Sequence, residues 1–214
     1  MKRLPPLSIR LPKVFSILKR TYPKAHCILE YKTPWQLLVA VQLSAQCTDV
    51  MVNKVTPALF QKYPTAAATA RAPIGELERL IRSTGFYHNK AKNLKGAAQT
   101  IMEKFSGKVP GTKKELLELP GVARKTANII LGNAFGVVEG IAVDTHVMRV
   151  SGRLGLTANT NPEKIEKDLM RILHRKEWFL FTYRIIDHGR AICKAPTPRC
   201  GVCLINKLCP SSLV

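Results

Sequence analysis

The sequence predicts an all-α fold, and three observations carry that reading. Apolar residues recur at helical spacing almost everywhere, strand-like alternation is scarce, and helix-start signals punctuate the chain. With 214 residues and 46% hydrophobic content, the chain can bury a core sufficient for one large domain or two small ones.

Taken in order, the opening MKRLPPLSIRLPKVF is basic, its apolar residues are broken by three prolines, and it has neither the apolar region nor the cleavage site of a secretory signal. That points to a reducing, cytoplasmic compartment. Thr33-Pro34-Trp35-Gln36 combines an N-cap, a first-turn proline and a capping-box glutamine, and opens a helix through about Ala45. The next helix runs from Thr48 to Tyr63 and is expected to be disturbed or divided near Pro57. Further helices are predicted at 74–84, 88–105, 113–118, 123–135, 145–154, 162–174 and 177–192. Thr112-Lys113-Lys114-Glu115 and Asn161-Pro162-Glu163 supply two of the start signals. The apolar run VVEGIAV, 137–143, lacks a helical period and reads as an extended connection between two helical lobes.

The chain carries 34 Lys and Arg against 14 Asp and Glu, a formal charge of +20, which exceeds what solubility requires and points to a polyanionic partner. The excess is spread along the chain, with no run of five like charges, so it describes a folded basic surface and not a disordered arm. Nucleic acid is favoured over anionic membrane, because no segment approaches the roughly 20 apolar residues that span a bilayer.

Residues 112–135 read as helix, hairpin, helix, with Leu119-Pro120-Gly121-Val122-Ala123 as the turn. Gly121 lets the backbone approach a ligand closely, and the N–H groups that follow, with the helix dipole, attract an anion. Such a device grips phosphate without reading bases. Arg124 and Lys125 follow at once. In that first turn the dipole and the Arg124 guanidinium disfavour an ammonium on Lys125, and a lysine with an available lone pair is a nucleophile. On these residues alone, a lysine that only neutralises phosphate is an equal reading.

Cys27 and Cys47 stand apart and read as buried small hydrophobes. Cys193, Cys200, Cys203 and Cys209 follow C-x6-C-x2-C-x5-C, which suggests a metal centre and not a disulfide framework. The spacing leaves zinc open, although structural zinc sites usually show two close pairs and here only the middle pair is close.

LPGVARKTANIILGNAFG followed by IAVDTHVMRV, with QLSAQCTD upstream and the cysteine pattern at the end, resembles the motifs of the endonuclease III family of base-excision DNA glycosylases, in the family's order. The resemblance covers nearly the whole chain. It implies two helical lobes flanking a DNA-binding cleft: a helical barrel over 27–138 containing the helix-hairpin-helix (about 112–135), and a second domain of 1–26 with 139–214 that holds the cluster loop, 193–209.

It also implies an activity: excision of oxidised pyrimidines from duplex DNA. Lys125 would attack C1′ of the damaged nucleotide, expel the base and form a Schiff base that leads to strand cleavage by β-elimination. Asp144 would stay ionised and stabilise the positive charge developing on the sugar. Its plainer role is to cap the helix that begins at Thr145, and the two are compatible. The four cysteines would hold a [4Fe–4S] cluster that pins a loop carrying Lys194, Arg199 and Lys207 for the DNA backbone. Gln46 would fill the gap left by the extruded base, and Phe86, after Gly85, would wedge into the stack. Gly121, Ala123 and Arg124 would bind the strand.

The partner implied is duplex DNA with a damaged base or an abasic site, approached by a monomer. One departure stands out: the hairpin reads Gly-Val-Ala where the family usually has Gly-Val-Gly, so Ala123 must tolerate the backbone geometry there. Two other readings compete. A monofunctional adenine or mismatch glycosylase would activate water and generally lacks the hairpin lysine. A noncatalytic hairpin module would bind DNA and release no base.

Overall fold

The computed structural model describes residues 4–214. In chain order its helices are α1 (Leu7–Thr21), α2 (Pro34–Leu43), α3 (Asp49–Lys62), α4 (Ala66–Arg71), α5 (Ile74–Ile81), α6 (Tyr87–Lys104), α7 (Lys113–Leu116), α8 (Arg124–Ala134), α9 (Thr145–Arg153), α10 (Pro162–Ile172) and α11 (Arg175–Ala191). Short 3-10 turns lie at Arg82–Thr84, Cys200–Val202 and Asn206–Leu208, and no strand forms among the described residues.

The start residues cap their helices, but the capping boxes do not close in return: Gln36 Oε1 accepts from the Lys32 N–H and Glu115 Oε2 from the Thr112 hydroxyl. Thr33 accepts from the Gln36 N–H, Thr112 from Glu115, Asp144 from Val147, and Asn161 from both Glu163 and Lys164. Each bond satisfies a donor that the first turn would otherwise leave without a partner.

One local expectation needs correction, and two further helices form. α3 continues through Pro57 without a division, held by burial of Val55, Thr56 and Leu59 around the proline. The N-terminal helix α1 accommodates its prolines: Pro6 occupies the cap, and Pro12 is carried inside the helix because Val14 and Leu18 are buried. α4 has almost no apolar period, yet Thr65 caps it from Ala68, and alanine is the strongest helix former.

The chain divides into two compact units, Ile28–Glu139 and the segment up to Cys27 together with Gly140–Val214. At the centre of the first is α2, in which Trp35 and every residue from Leu37 to Leu43 are buried. A helix apolar on all sides belongs in the middle of a core, and α3, α6 and α8 surround it. In the other unit α11 packs against α1 and α9, around Val14, Leu18, Val147, Val150, Leu169 and Phe181. Phe15 stacks on Phe181 there, with ring centroids 5.4 Å apart. The 137–143 segment has no regular structure, as the missing helical period requires. No described helix is long and apolar enough to cross a membrane.

Candidate active site and cysteine loop

The hairpin turn is built by glycine and held from outside. Gly121 has φ +75°, and a Cβ placed there would lie 2.9 Å from the Asn93 Cβ, so only glycine fits both the conformation and the space. Gln42 Nε2 donates to the Pro120 carbonyl at 2.7 Å and fixes the turn to the core helix. Ala123, by contrast, sits at φ −97°, ψ 173°, extended backbone that any residue adopts. The departure from Gly-Val-Gly therefore carries no conformational strain. As N-cap of α8, Ala123 offers no side-chain acceptor, which leaves the helix start available to an external anion.

Arg124 and Lys125 are the first two residues of α8, both half-buried. Among the described residues, none forms a hydrogen bond or ion pair with Lys125 Nζ. The half-buried amine is thus left without a partner beside a helix N-terminus.

Gln46, Phe86 and Gly121 border a single cavity with about 550 Å³ of empty space, lined also by Gln42, Asn89, Lys90 and Asn93. Gln46 (φ 51°) and Phe86 (φ 49°) are both left-handed, an uncommon state for residues with side chains. Phe86 is 64% exposed, directly after Gly85 at φ 70°, so its ring is no core plug. Beneath the rim, Lys90 is 6% exposed and donates from Nζ to the carbonyls of Leu43 and Thr84, each at 2.8 Å.

Asp144 belongs to the other unit and is the N-cap of α9, its Oδ1 accepting from the Val147 N–H at 2.7 Å. That bond fixes the carboxylate's direction.

Cys193, Cys200, Cys203 and Cys209 line one cavity with about 370 Å³ of empty space, part of it open to solvent. All four thiols are free. Burial pushes the Cys203 and Cys209 thiols up, and the neighbouring cysteines act in the same direction. Such a set needs a cationic centre before all four ionise. The scaffold around them is made of guanidinium groups. Arg153 donates to the Cys193 sulfur at 3.4 Å and to the carbonyls of Lys194 and Pro196, while Arg149 Nε reaches the Cys193 carbonyl at 3.1 Å. Burial lowers His188 to about 4, so a neutral ring packs beside Cys203, with Nε2 3.8 Å from its sulfur. Among the described residues, no three His, Cys, Asp or Glu side chains converge on one metal ion. Lys194, Arg199 and Lys207 are exposed on this loop.

Cys27 and Cys47 are not buried as the sequence suggested, but half-buried. Cys47 lies in the turn beyond the end of α2, where the chain has left the core, and its thiol faces the Thr48 carbonyl at 3.7 Å. Sequence reasoning also missed Gln42, Lys90, Asn93 and Arg153. Each is an ordinary polar helix residue in the sequence, and only its long-range partner gives it a role.

Over residues 39–175 the chain matches the HhH-GPD superfamily of base excision DNA repair proteins, and it belongs to that family. More particularly, it is 57% identical to endonuclease III of Synechocystis sp. over 203 residues, which cover 95% of this chain and 93% of that one. Its structure is similar to that of a non-covalent endonuclease III–DNA complex and to that of a trapped endonuclease III–DNA covalent intermediate, an estranged-adenine complex. Both match with TM-score 0.92 and 44% identity over 96% of each chain.

Proposed function

We propose that this chain is a bifunctional DNA glycosylase and abasic-site lyase of base excision repair, acting on oxidised pyrimidines in duplex DNA. The single observation that carries the reading is Lys125: an amine with no protein partner, in the first turn of an uncapped helix, directly after a glycine turn suited to phosphate. The likeness to a trapped covalent intermediate supports the same chemistry.

In the proposed reaction the Lys125 lone pair forms a bond to C1′ while the bond from C1′ to the base breaks and the base leaves with that electron pair and a proton. Opening of the sugar ring then gives an iminium between Nζ and C1′. Loss of a C2′ proton drives out the 3′-phosphate, which nicks the strand, and water releases the lysine. Asp144 supplies fixed negative charge where the sugar becomes positive and assists the proton transfers. The start of α8 holds the backbone phosphates with Arg124, and Gly121 permits the close approach. Gln46 and Phe86 enter the duplex once the base is extruded.

The four thiols fit a [4Fe–4S] cluster, because they line one shared cavity where each would take its own iron. When bound, the cluster supplies a fixed cationic core that holds the loop together, and no chemistry at the sugar. Arg149 and Arg153 orient that loop, and Lys194, Arg199 and Lys207 present charge to the strand.

Borohydride trapping tests the reading. A duplex with an oxidised pyrimidine should give a stable enzyme–DNA adduct with the wild type and none after Lys125→Ala. Absence of the wild-type adduct, or trapping undiminished by the substitution, would overturn it. DNA binding without base release would instead identify a noncatalytic module, and base release without nicking a monofunctional glycosylase.

A further inference from the structure

Lys90 is a buried cation whose ammonium is bonded to two backbone carbonyls from separate segments. Removing an ammonium from water without a carboxylate is costly, and burial lowers its pKa. The two carbonyls explain what the arrangement achieves. Leu43 ends α2, three residues before Gln46, and Thr84 ends the 3-10 turn, two residues before Phe86. One side chain therefore joins the two backbone segments that carry the left-handed, exposed tips on the rim of one cavity. Lys90 also takes the Phe86 carbonyl through its own N–H at 3.1 Å, one helical turn along α6, which fixes it to the second tip twice over. Residues in sparsely populated conformations persist only where the surroundings over-determine them, and here one ammonium contributes to both.

We propose that Lys90 is a positioning residue for base extrusion: by joining the Leu43 and Thr84 carbonyls it sets the separation of Gln46 and Phe86, so that the two tips enter the duplex as one preorganised wedge. The proposal rests on the assignment of those tips as the inserting residues. Its physical content is that the ordering of two loops is completed before DNA arrives, so insertion carries no further ordering cost.

The test compares a paired lesion with the same lesion left unpaired in a bulge, where extrusion needs little help. Lys90→Met keeps the stem and removes the donors. It should lower excision kcat/KM on the paired lesion by on the order of 10²-fold, as small misplacements at a reacting site do, and by less than about threefold on the bulge. Fluorescence of 2-aminopurine opposite the lesion, which rises when its stack is broken, should fall in step on binding, independently of chemistry. Lys90→Arg, which retains charge and several donors, should restore most of both. Where the Met variant does not fold, Lys90→Gln, whose shorter amide reaches one carbonyl, should show an intermediate loss confined to the paired substrate.

Equal losses on both substrates would mean a purely structural lysine and would overturn the proposal, as would no loss on either. Gln46→Ala and Phe86→Ala are the controls for the tips. If neither changes the 2-aminopurine signal, the wedge assignment fails and the proposal with it. Failure of the glycosylase reading shows separately, in the trapping assay on Lys125.

Discussion

Gln42 and Pro120 lie 78 positions apart in sequence, and the 2.7 Å bond from the Gln42 amide to the Pro120 carbonyl ties the hairpin turn to the core of its unit. The turn's position is thus fixed by a side chain on the most buried helix. Gln42→Leu removes that bond together with an Oε1 atom that is buried and has no partner, so the two effects partly offset. Urea unfolding should show a loss of about 1 kcal/mol. Affinity for an abasic duplex should fall by more than stability accounts for, about tenfold or 1.4 kcal/mol, because the turn proposed to bind phosphate is no longer held.

Gly121 and Ala123 should respond in opposite ways. Gly121→Ala must adopt φ +75° and push Asn93 aside, and should destabilise by roughly 1–3 kcal/mol in thermal or urea unfolding. Ala123→Gly changes a residue at φ −97° that caps α8, where glycine is tolerated better than alanine, and should leave stability within about 0.5 kcal/mol. DNA affinity should follow the same order. A large loss in the Ala123 variant would contradict the extended conformation at that residue.

Asp144 carries a cap and, in the proposed mechanism, a charge, and two substitutions separate them. Asp144→Asn retains an acceptor for the Val147 N–H and should keep the melting temperature close to wild type while base excision falls by about 10²–10⁴-fold. Asp144→Ala should lose the activity and also about 1 kcal/mol of stability. Equal activity in the Asn variant would leave Asp144 as a cap alone.

Salt should report the phosphate contacts one by one. Log affinity for duplex DNA should fall with log salt by about 0.9 for each phosphate neutralised. Arg124→Ala should lower that slope by about 1, uniformly across sequences, since the helix start reads no bases. Lys194→Ala and Lys207→Ala on the exposed cysteine loop should act in the same sense if that loop meets the strand. An unchanged slope would remove the residue in question from the interface.

Purified under nitrogen, the chain should contain about four iron and four sulfide, the composition of a [4Fe–4S] centre. Cys203→Ala should abolish the visible iron–sulfur absorbance, and limited proteolysis should then cut within 193–209, because the guanidinium contacts of Arg149 and Arg153 hold carbonyls of that loop only while it is closed. One tightly bound zinc and no iron would overturn the cluster assignment.

What the sequence determined was whatever short-range chemistry decides. Helical spacing and the caps at Thr33, Thr112 and Asn161 placed most helices within a few residues, and the match of motifs in order placed the chain in its family. The turn at Pro120-Gly121 and the helix that follows Ala123 were legible because glycine and helix-start preferences act over three or four residues. α1 and α3 were less so, since a proline's local penalty is read from sequence and the burial that outweighs it is not. The tertiary structure alone decided that Lys90 is a buried tie and not a surface charge, that Gln42 holds a turn, and that Arg153 faces a cysteine sulfur. The reason is that a polar side chain is indifferent to its place until the fold brings it a partner, and those partners lie from 6 to 78 residues away.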